Sequence, residues 1–167
     1  AYSGRPFRLR EHLERLRSSA RRLGMRVRYS DSEIEAAVMR TLRANRLLHA
    51  RVRIVLTRGP GDPELRAIQG AGKSTLLVYS LPYSPPPEAA YRRGVKAIAS
   101  RVVRNDRRAL DPAIKTINLL NNLLAARDAA RAGVQEAIML NTRGFVAEAV
   151  AANVFFVRRG VLCTPSL

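Results

Sequence analysis

Lys115 is the residue of this chain whose type and surroundings most favour covalent chemistry. The sequence carries 30 basic residues, and only Lys73, Lys96 and Lys115 among them are lysines. A lysine ammonium can lose its proton when it is desolvated and then attack a carbonyl carbon, whereas an arginine guanidinium keeps its charge. Lys115 has apolar neighbours and opens a helix-like run, which suits a Schiff-base lysine. The same pattern is typical of a lysine at a helix start whose stem lies along apolar surface, so the segment alone leaves both interpretations open.

A glycine-rich segment that ends in Gly72-Lys73-Ser74 matches part of a nucleotide-binding P-loop. That motif needs a first glycine where this chain has Ala67, and it needs a strand before it and a helix after it. The residues that follow have the composition of a strand. We therefore interpret the segment as a glycine-rich turn, with a P-loop nucleotide binder as an alternative.

Histidine and cysteine are scarce in this sequence. His12 and His49 are the only histidines, and Cys163 is the only cysteine. This set offers no third ligand for a metal site and no intramolecular disulfide. We predict that the protein holds no metal and works in the reducing cytoplasm.

The formal net charge of +17 makes a nucleic-acid-binding module the alternative from a different class. However, the arginines are spread over helix-like and strand-like segments, and the nine aromatic residues are not interleaved with them. A coding bias toward arginine explains the charge equally well, so we predict no nucleic-acid partner. No apolar run is long enough to span a bilayer, and we predict no membrane partner.

The first half of the chain has the pattern of two helices and two strands. Periodicities of three and four residues predict the helices, and alternation predicts the strands. Gly24 is a suitable end for the first helix, and Ser30 with Glu33 predicts a capping box for the second. The predicted elements are helices over 6–23 and from 30 to about 46, and strands over 51–57 and 75–81.

A proline-rich linker over 84–92 predicts a domain boundary, because its opening Ser-Pro-Pro-Pro is stiff and cannot lie inside a sheet. We assign 1–83 to a small α/β subdomain and 93–167 to a larger subdomain with mixed or antiparallel strands. The fold class is α/β (α+β). The elements predicted for the second subdomain are a strand over 94–103, a helix over 115–132, strands over 136–140 and 145–149, and a hairpin from 154–157 and 161–163.

Several segments, taken in order, make one family pattern. They are residues 4–16, 53–59, 115–125, 135–141, 144–148, 152–155 and 160–165. The ordered set resembles the class IV aminotransferases, the fold-type IV pyridoxal-phosphate enzymes. This family includes branched-chain aminotransferases, D-amino-acid aminotransferases and aminodeoxychorismate lyases. The resemblance implies a two-subdomain fold with pyridoxal 5'-phosphate in the crevice between the subdomains, and a homodimer.

The resemblance also implies roles for four residues. Lys115 matches the Schiff-base lysine, and Arg15, in His-Leu-Glu-Arg-Leu, matches the arginine of the cofactor phosphate. Glu148, in Phe-Val-Ala-Glu, matches the carboxylate that faces the pyridine nitrogen, and Arg53 matches the arginine of a Tyr-x-Arg motif at the substrate. The residue types agree with these roles, since an arginine fork suits a phosphate and a carboxylate keeps the ring nitrogen protonated. Lys115, once freed, would move the substrate's alpha proton.

Departures from the family pattern leave the substrate open. Leu119 and Arg51 stand where many branched-chain enzymes have Tyr, and residues 60–65 lack the Arg-x-His of D-amino-acid enzymes. The pattern also starts after the family's opening strands and stops before its phosphate loop, so we expect the middle of a longer enzyme. We predict amino-group transfer between an amino acid, with a branched-chain one favoured, and a 2-oxo acid. Aminodeoxychorismate lyase and D-amino-acid aminotransferase are the alternatives within the family.

Overall fold

A computed structural model describes residues 1–61 and 72–166 of the chain. The chain divides into two compact units, Ala1–Pro85 and Pro86–Leu167, which we call unit 1 and unit 2. None of the helices in the described ranges is long and apolar enough to cross a membrane.

Unit 1 contains the predicted two helices and two strands. They are α1 (Leu9–Arg22), α2 (Asp31–Ala44), β1 (Ala50–Thr57) and β2 (Thr75–Pro82). The first predicted helix starts three positions too early, because Arg8 has a left-handed backbone with φ of 52° and cannot continue a helix. The predicted capping box is confirmed: Glu33 N donates to Ser30 Oγ at 3.2 Å, and Ser30 N donates to Glu33 Oε2 at 2.7 Å.

The core of unit 1 lies between α2 and the β1–β2 hairpin. Ile34, Val38 and Leu42 recur at four-residue spacing on one face of α2 and are buried. Val38 and Leu42 form one cluster with Ala50, against which half-buried residues of both strands pack. The apolar period of α2 therefore fixes which face meets the sheet.

The β1–β2 hairpin is antiparallel and in register from Ala50 opposite Pro82 to Thr57 opposite Thr75. The segment that follows β1 and the segment that precedes β2 come very close at Gly59, where φ is +98°. A Cβ atom at Gly59 would collide with the Lys73 carbonyl oxygen. Only glycine fits there. Part of the P-loop-like segment, Gly70 and Ala71, lies outside the described residues, but β2 begins at Thr75 where a P-loop needs a helix. This supports the interpretation as a glycine-rich turn.

Unit 2 mixes short strands with two helices. They are α3 (Glu88–Arg93), β3 (Ala97–Ala99), α4 (Leu120–Arg131), β4 (Glu136–Leu140), β5 (Val146–Ala149), β6 (Phe156–Arg158) and β7 (Val161–Cys163). In the three-stranded sheet, β3 runs parallel to β4, and β5 pairs antiparallel to β4. The β6–β7 hairpin turns at Arg159 and Gly160, both with positive φ, as a tight hairpin turn requires.

Three predicted elements of unit 2 differ clearly from the structure, and the first strand of the hairpin, predicted over 154–157, lies at Phe156–Arg158. The linker predicted over 84–92 is irregular only as far as Pro87, after which α3 begins. The strand predicted over 94–103 stops at Ala99, because the Ser100 hydroxyl accepts a hydrogen bond from Val102 N at 3.0 Å and bends the chain. The helix predicted to start at Lys115 starts at Leu120, since Thr116 Oγ1 accepts from Asn118 N at 3.2 Å and favours a turn.

The core of unit 2 is built from small residues around one methionine. Ala125 and Ala129 face β4 from α4, where they meet Ala137 and Met139. All four are buried, and Met139 has no exposed surface. Alanines at four-residue spacing let the helix lie close to the sheet, which brings the first turn of α4 next to β5.

Candidate active site

Lys115 lies in the irregular segment that leads into α4, and its side chain is exposed. The segment is braced by Asp111, whose Oδ1 accepts from Ala113 N at 2.9 Å, and by the turn at Thr116. The described residues of unit 2 therefore do not bury the Lys115 side chain, although its apolar neighbours in the sequence favour burial. The lysine instead stands at the surface of its unit, where an incoming carbonyl compound can reach it.

Glu148 lies on β5 opposite Met139 of β4 and is half-buried. Its Oε1 is 2.7 Å from Arg104 Nε, in an ion pair without an aligned hydrogen bond. The same oxygen accepts from Asn122 Nδ2 at 3.3 Å. The side chains of Arg104 and Glu148 are 14% and 32% exposed, so water screens this pair less than a surface pair.

Arg104, Asn121 and Asn122 surround Glu148 but were not predicted as site residues. Asn121 Oδ1 accepts from Arg104 Nη1 at 2.9 Å, and Asn121 Nδ2 donates to the Val103 carbonyl at 2.9 Å. The two asparagines lie inside the segment that carried the family resemblance, which was the one available signal. Arg104 lies outside every such segment, and its role depends on contacts that sequence spacing does not reveal.

Glu148 keeps one carboxylate oxygen for an outside donor. Arg104 and Asn122 both contact Oε1, whereas Oε2 accepts no hydrogen bond from the described residues. An ionised carboxylate oxygen accepts hydrogen bonds, so Oε2 can accept from a protonated pyridine nitrogen. Lys115 lies in the segment that leads into α4, and Glu148 is bonded to the first turn of that helix. This set of groups fits the aldehyde and the ring nitrogen of pyridoxal phosphate.

The two predicted arginine sites lie in unit 1, on separate elements. Arg15 is exposed on α1, and its Nη2 is 3.2 Å from Nδ1 of His12, one turn earlier. Arg53 is exposed on β1, opposite Tyr79 of β2. Neither guanidinium forms an ion pair within the described ranges, so each has donors left for an anion.

One cavity in unit 1 does not coincide with these predicted sites. It encloses about 1110 Å³ in unit 1 and is lined by residues 23–28, Arg58 and residues 72–74. None of Arg15, Arg53, Lys115 or Glu148 lines it. In residues 1–61 and 72–166, no group of histidine, cysteine and acidic residues could hold a metal ion.

Comparison with known proteins identifies the family. The family model described as amino-transferase class IV matches residues 1–167. This chain belongs to the class IV aminotransferases. A candidate branched-chain-amino-acid aminotransferase of Methanocaldococcus jannaschii is 40% identical to it over 165 residues, which are 99% of this chain and 56% of that protein.

Solved structures confirm the fold class. Branched-chain amino acid aminotransferase from Thermobaculum terrenum, in its pyridoxal-phosphate form, matches 96% of this chain and 52% of its own with a TM-score of 0.85 and 30% identity. A candidate 4-amino-4-deoxychorismate lyase from Legionella pneumophila matches 99% of this chain and 59% of its own with a TM-score of 0.84 and 27% identity. The chain thus spans a little over half the length of these proteins, and the α/β architecture is that of fold-type IV enzymes.

Proposed function

We propose that the full-length protein is a pyridoxal-phosphate-dependent aminotransferase. The observation that carries the proposal is the hydrogen bond from the first turn of α4 to Glu148, on the helix into which the Lys115 segment leads, in a chain whose whole length matches the family. The exchange converts an amino acid and a 2-oxo acid into the corresponding 2-oxo acid and amino acid. It is redox-neutral overall, since the amino group and the alpha hydrogen leave one carbon skeleton and join the other, and the carbonyl oxygen is exchanged in the opposite direction through water.

Each predicted site residue has one task in this proposal. Bound pyridoxal phosphate supplies a ring that accepts the electron pair released when the substrate's alpha proton leaves. Lys115 holds the cofactor covalently at rest and, once displaced, moves that proton to and from the alpha carbon. Glu148 Oε2 accepts a hydrogen bond from the ring nitrogen and keeps it protonated, Arg15 binds the phosphate, and Arg53 binds the substrate's carboxylate.

A branched-chain amino acid is the favoured substrate. The support is the 40% identity to the candidate Methanocaldococcus jannaschii branched-chain enzyme and the structural match to the Thermobaculum terrenum enzyme. Leu119 and Arg51, which replace Tyr of many branched-chain enzymes, argue for a changed pocket rather than for a changed reaction.

The deciding experiment uses the full-length protein with added pyridoxal phosphate. Reduction with borohydride followed by peptide mass spectrometry should place the cofactor on Lys115. Lys115→Ala should lose the attachment and lower turnover of L-leucine with 2-oxoglutarate by more than about a thousandfold. Lys96→Arg, which changes another exposed lysine of unit 2, is the matched control and should behave as the wild type. Attachment at a lysine other than Lys115, or full turnover by Lys115→Ala, would refute the proposal.

A lyase is the second candidate, because the Legionella structure matches almost the whole chain. The two reactions differ in product: a lyase acting on aminodeoxychorismate releases pyruvate without a 2-oxo acid acceptor. The same preparation should therefore be assayed with aminodeoxychorismate, with L-amino acids and with D-amino acids. Pyruvate released without acceptor would favour the lyase, and turnover of D-alanine would favour the D-amino-acid aminotransferase.

A homodimer in the cytoplasm completes the proposal. Sedimentation of the full-length protein should give twice the monomer mass, and fractionation of the source cells should place the activity in the cytoplasm. A nucleic-acid-binding module would instead show salt-dependent binding to DNA or RNA and no borohydride-stable cofactor.

A further inference from the structure

The first turn of α4 carries two adjacent asparagines whose side chains bond outside the helix. The residue before the helix, Leu119, supplies no capping side chain. Asn121 and Asn122 could serve the exposed N–H groups of their own helix, as asparagines at helix starts often do. Instead, Asn121 bonds to residues 103–105, and Asn122 bonds to β5 and the residue after it.

Asn121 fixes the segment that carries Arg104. Its Oδ1 accepts from Arg104 Nη1 at 2.9 Å and from Asn105 N at 3.3 Å, and its Nδ2 donates to the Val103 carbonyl at 2.9 Å. Arg104 N also donates to the Leu140 carbonyl of β4 at 2.8 Å. The backbone and the guanidinium of Arg104 are therefore held from two sides, which fixes the position of the charge beside Glu148.

Asn122 fixes the carboxylate itself. Its Nδ2 donates to the Val150 carbonyl at 2.8 Å and to Glu148 Oε1 at 3.3 Å. The shorter bond to the backbone sets the plane of the amide, and the second hydrogen then points at Glu148. Because Arg104 and Asn122 both engage Oε1, these two contacts restrict the rotation of the carboxylate.

We propose that Asn121 and Asn122 are positioning residues that together aim Glu148 Oε2 at the ring nitrogen of the cofactor. This inference rests on the proposed function. An amide suits both positions, since Asn121 must accept and donate at once and Asn122 must donate to two oxygens. Aspartate at 122 would set a second carboxylate against Glu148, and alanine at either position would remove the bonds. A carboxylate that can rotate would bind the ring nitrogen less tightly. Metal ligands likewise bind less tightly when the hydrogen bonds that orient them are lost.

The test measures the cofactor in the full-length protein. Pyridoxal phosphate labelled with ¹⁵N at the ring nitrogen is titrated into wild type, Asn122→Ala, Asn122→Asp, Asn121→Ala and the control Asn45→Ala. Asn45 also bonds through its amide, to the Thr41 carbonyl in unit 1, so its substitution reports the cost of losing an asparagine far from the site in sequence. The readouts are the dissociation constant, the ¹⁵N shift of the ring nitrogen against pH, and the thermal midpoint without cofactor.

Asn122→Ala should bind the cofactor about tenfold more weakly and lower the pKa of the bound ring nitrogen by about one unit. Asn121→Ala should change both quantities in the same direction but by less. Asn122→Asp should also weaken cofactor binding, because it repels Glu148, but its added negative charge should offset the fall in the ring-nitrogen pKa. Asn122→Asp is isosteric, so it carries the test if the alanine variant does not fold. We expect Asn45→Ala to lower only the thermal midpoint. If the Asn121 and Asn122 variants do the same, with cofactor affinity and ring-nitrogen pKa unchanged, the inference is refuted. If the wild type does not attach the cofactor at Lys115, the proposed function is refuted as well. If the wild type attaches it and the asparagine variants bind it equally well with an unchanged ring-nitrogen pKa, only this inference is refuted.

Discussion

In both units a helix packs on a sheet, but the side chains between helix and sheet differ. Unit 1 fills the space between helix and sheet with Ile34, Val38 and Leu42, whereas unit 2 uses alanines around Met139. Their ion pairs differ too: the Arg17–Asp31 side chains are 31% and 57% exposed, and those of Arg104 and Glu148 are 14% and 32% exposed. Small core residues in unit 2 bring α4 close enough to the sheet for its first turn to reach Glu148. The unit that carries Lys115 and Glu148 therefore has smaller core side chains around Met139 and a more buried ion pair.

The largest expected effect is on the core of unit 2. Met139→Ala should lower the free energy of unfolding by about 2–5 kcal/mol, because it leaves a cavity at a fully buried position of the core. Val38→Ala in unit 1 should cost less, since larger neighbours can close around a smaller gap. Denaturant unfolding of the full-length protein, with hydrogen exchange of β4 and α2 amides to separate the units, measures both. An equal or larger cost for Val38→Ala would contradict the comparison.

Breaking one ion pair in each unit should give a smaller difference in the free energy of unfolding. Glu148→Gln leaves the largely buried Arg104 without its carboxylate and should cost about 1–3 kcal/mol in the cofactor-free protein. Asp31→Asn removes the partner of Arg17 at an exposed site, where Arg17 Nη2 still donates to the Tyr29 carbonyl at 2.9 Å, and should cost under about 1 kcal/mol. Chemical denaturation of the two isosteric variants measures the difference. If Asp31→Asn proves the more costly of the two, burial does not set the strength of these pairs.

Helix starts provide a third contrast. Ser30→Ala removes the capping box of α2 and should cost about 1 kcal/mol. Leu119→Ala changes the exposed residue before α4, which makes no capping bond, and should stay within about 0.5 kcal/mol of wild type. Thermal unfolding of both variants, at matched protein concentration, measures this. A loss on Leu119→Ala as large as that on Ser30→Ala would show that the start of α4 depends on contacts of the Leu119 side chain rather than on capping.

The smallest effect concerns acid stability in unit 2. Hydrogen bonds from the side chain and then the backbone of Arg108 lower the pKa of Asp106 from 3.8 to about 2. A pKa lower in the folded than in the unfolded chain stabilises the fold above the unfolded value, and this contribution is lost as the pH falls from about 4 toward 2. Asp106→Asn should therefore flatten the decline of stability across this window, which acid titration followed by circular dichroism would measure. An unchanged decline would show that Asp106 is not linked to folding.

Local patterns in the sequence predicted most of the helices and strands, because these elements depend on interactions between residues that are close in the chain. The period of α2 and the Ser30–Glu33 box both act within a few residues, so the amino-acid order alone is enough to predict them. The start of α4 could not be predicted, because a single hydroxyl at Thr116 competes with helix formation in a segment whose apolar pattern is helical. The ordered motifs predicted the family, which the comparisons confirm.

The residues of the candidate site also differ in whether the sequence could predict them. Lys115 and Glu148 could be selected by matching motifs, and their roles stay predictions. Arg104, Asn121 and Asn122 could not be selected, since they act through contacts between segments that are distant in the chain. The exposure of Lys115 also could not be predicted, because apolar neighbours in sequence need not be neighbours in space.

Gly59 has a consequence for how relatives of this chain should be compared. It ends the Arg53–Gly59 segment that helped to reveal the family, and a side chain there would collide with the Lys73 carbonyl oxygen. Main-chain geometry alone thus forbids every other residue at this position, whatever reaction the enzyme performs. If Gly59 proves invariant among aminotransferases and lyases alike, its invariance would record an ancestral hairpin and would give no information about substrate or catalysis. Evolutionary scoring of this motif should therefore weight its arginines separately from its glycine.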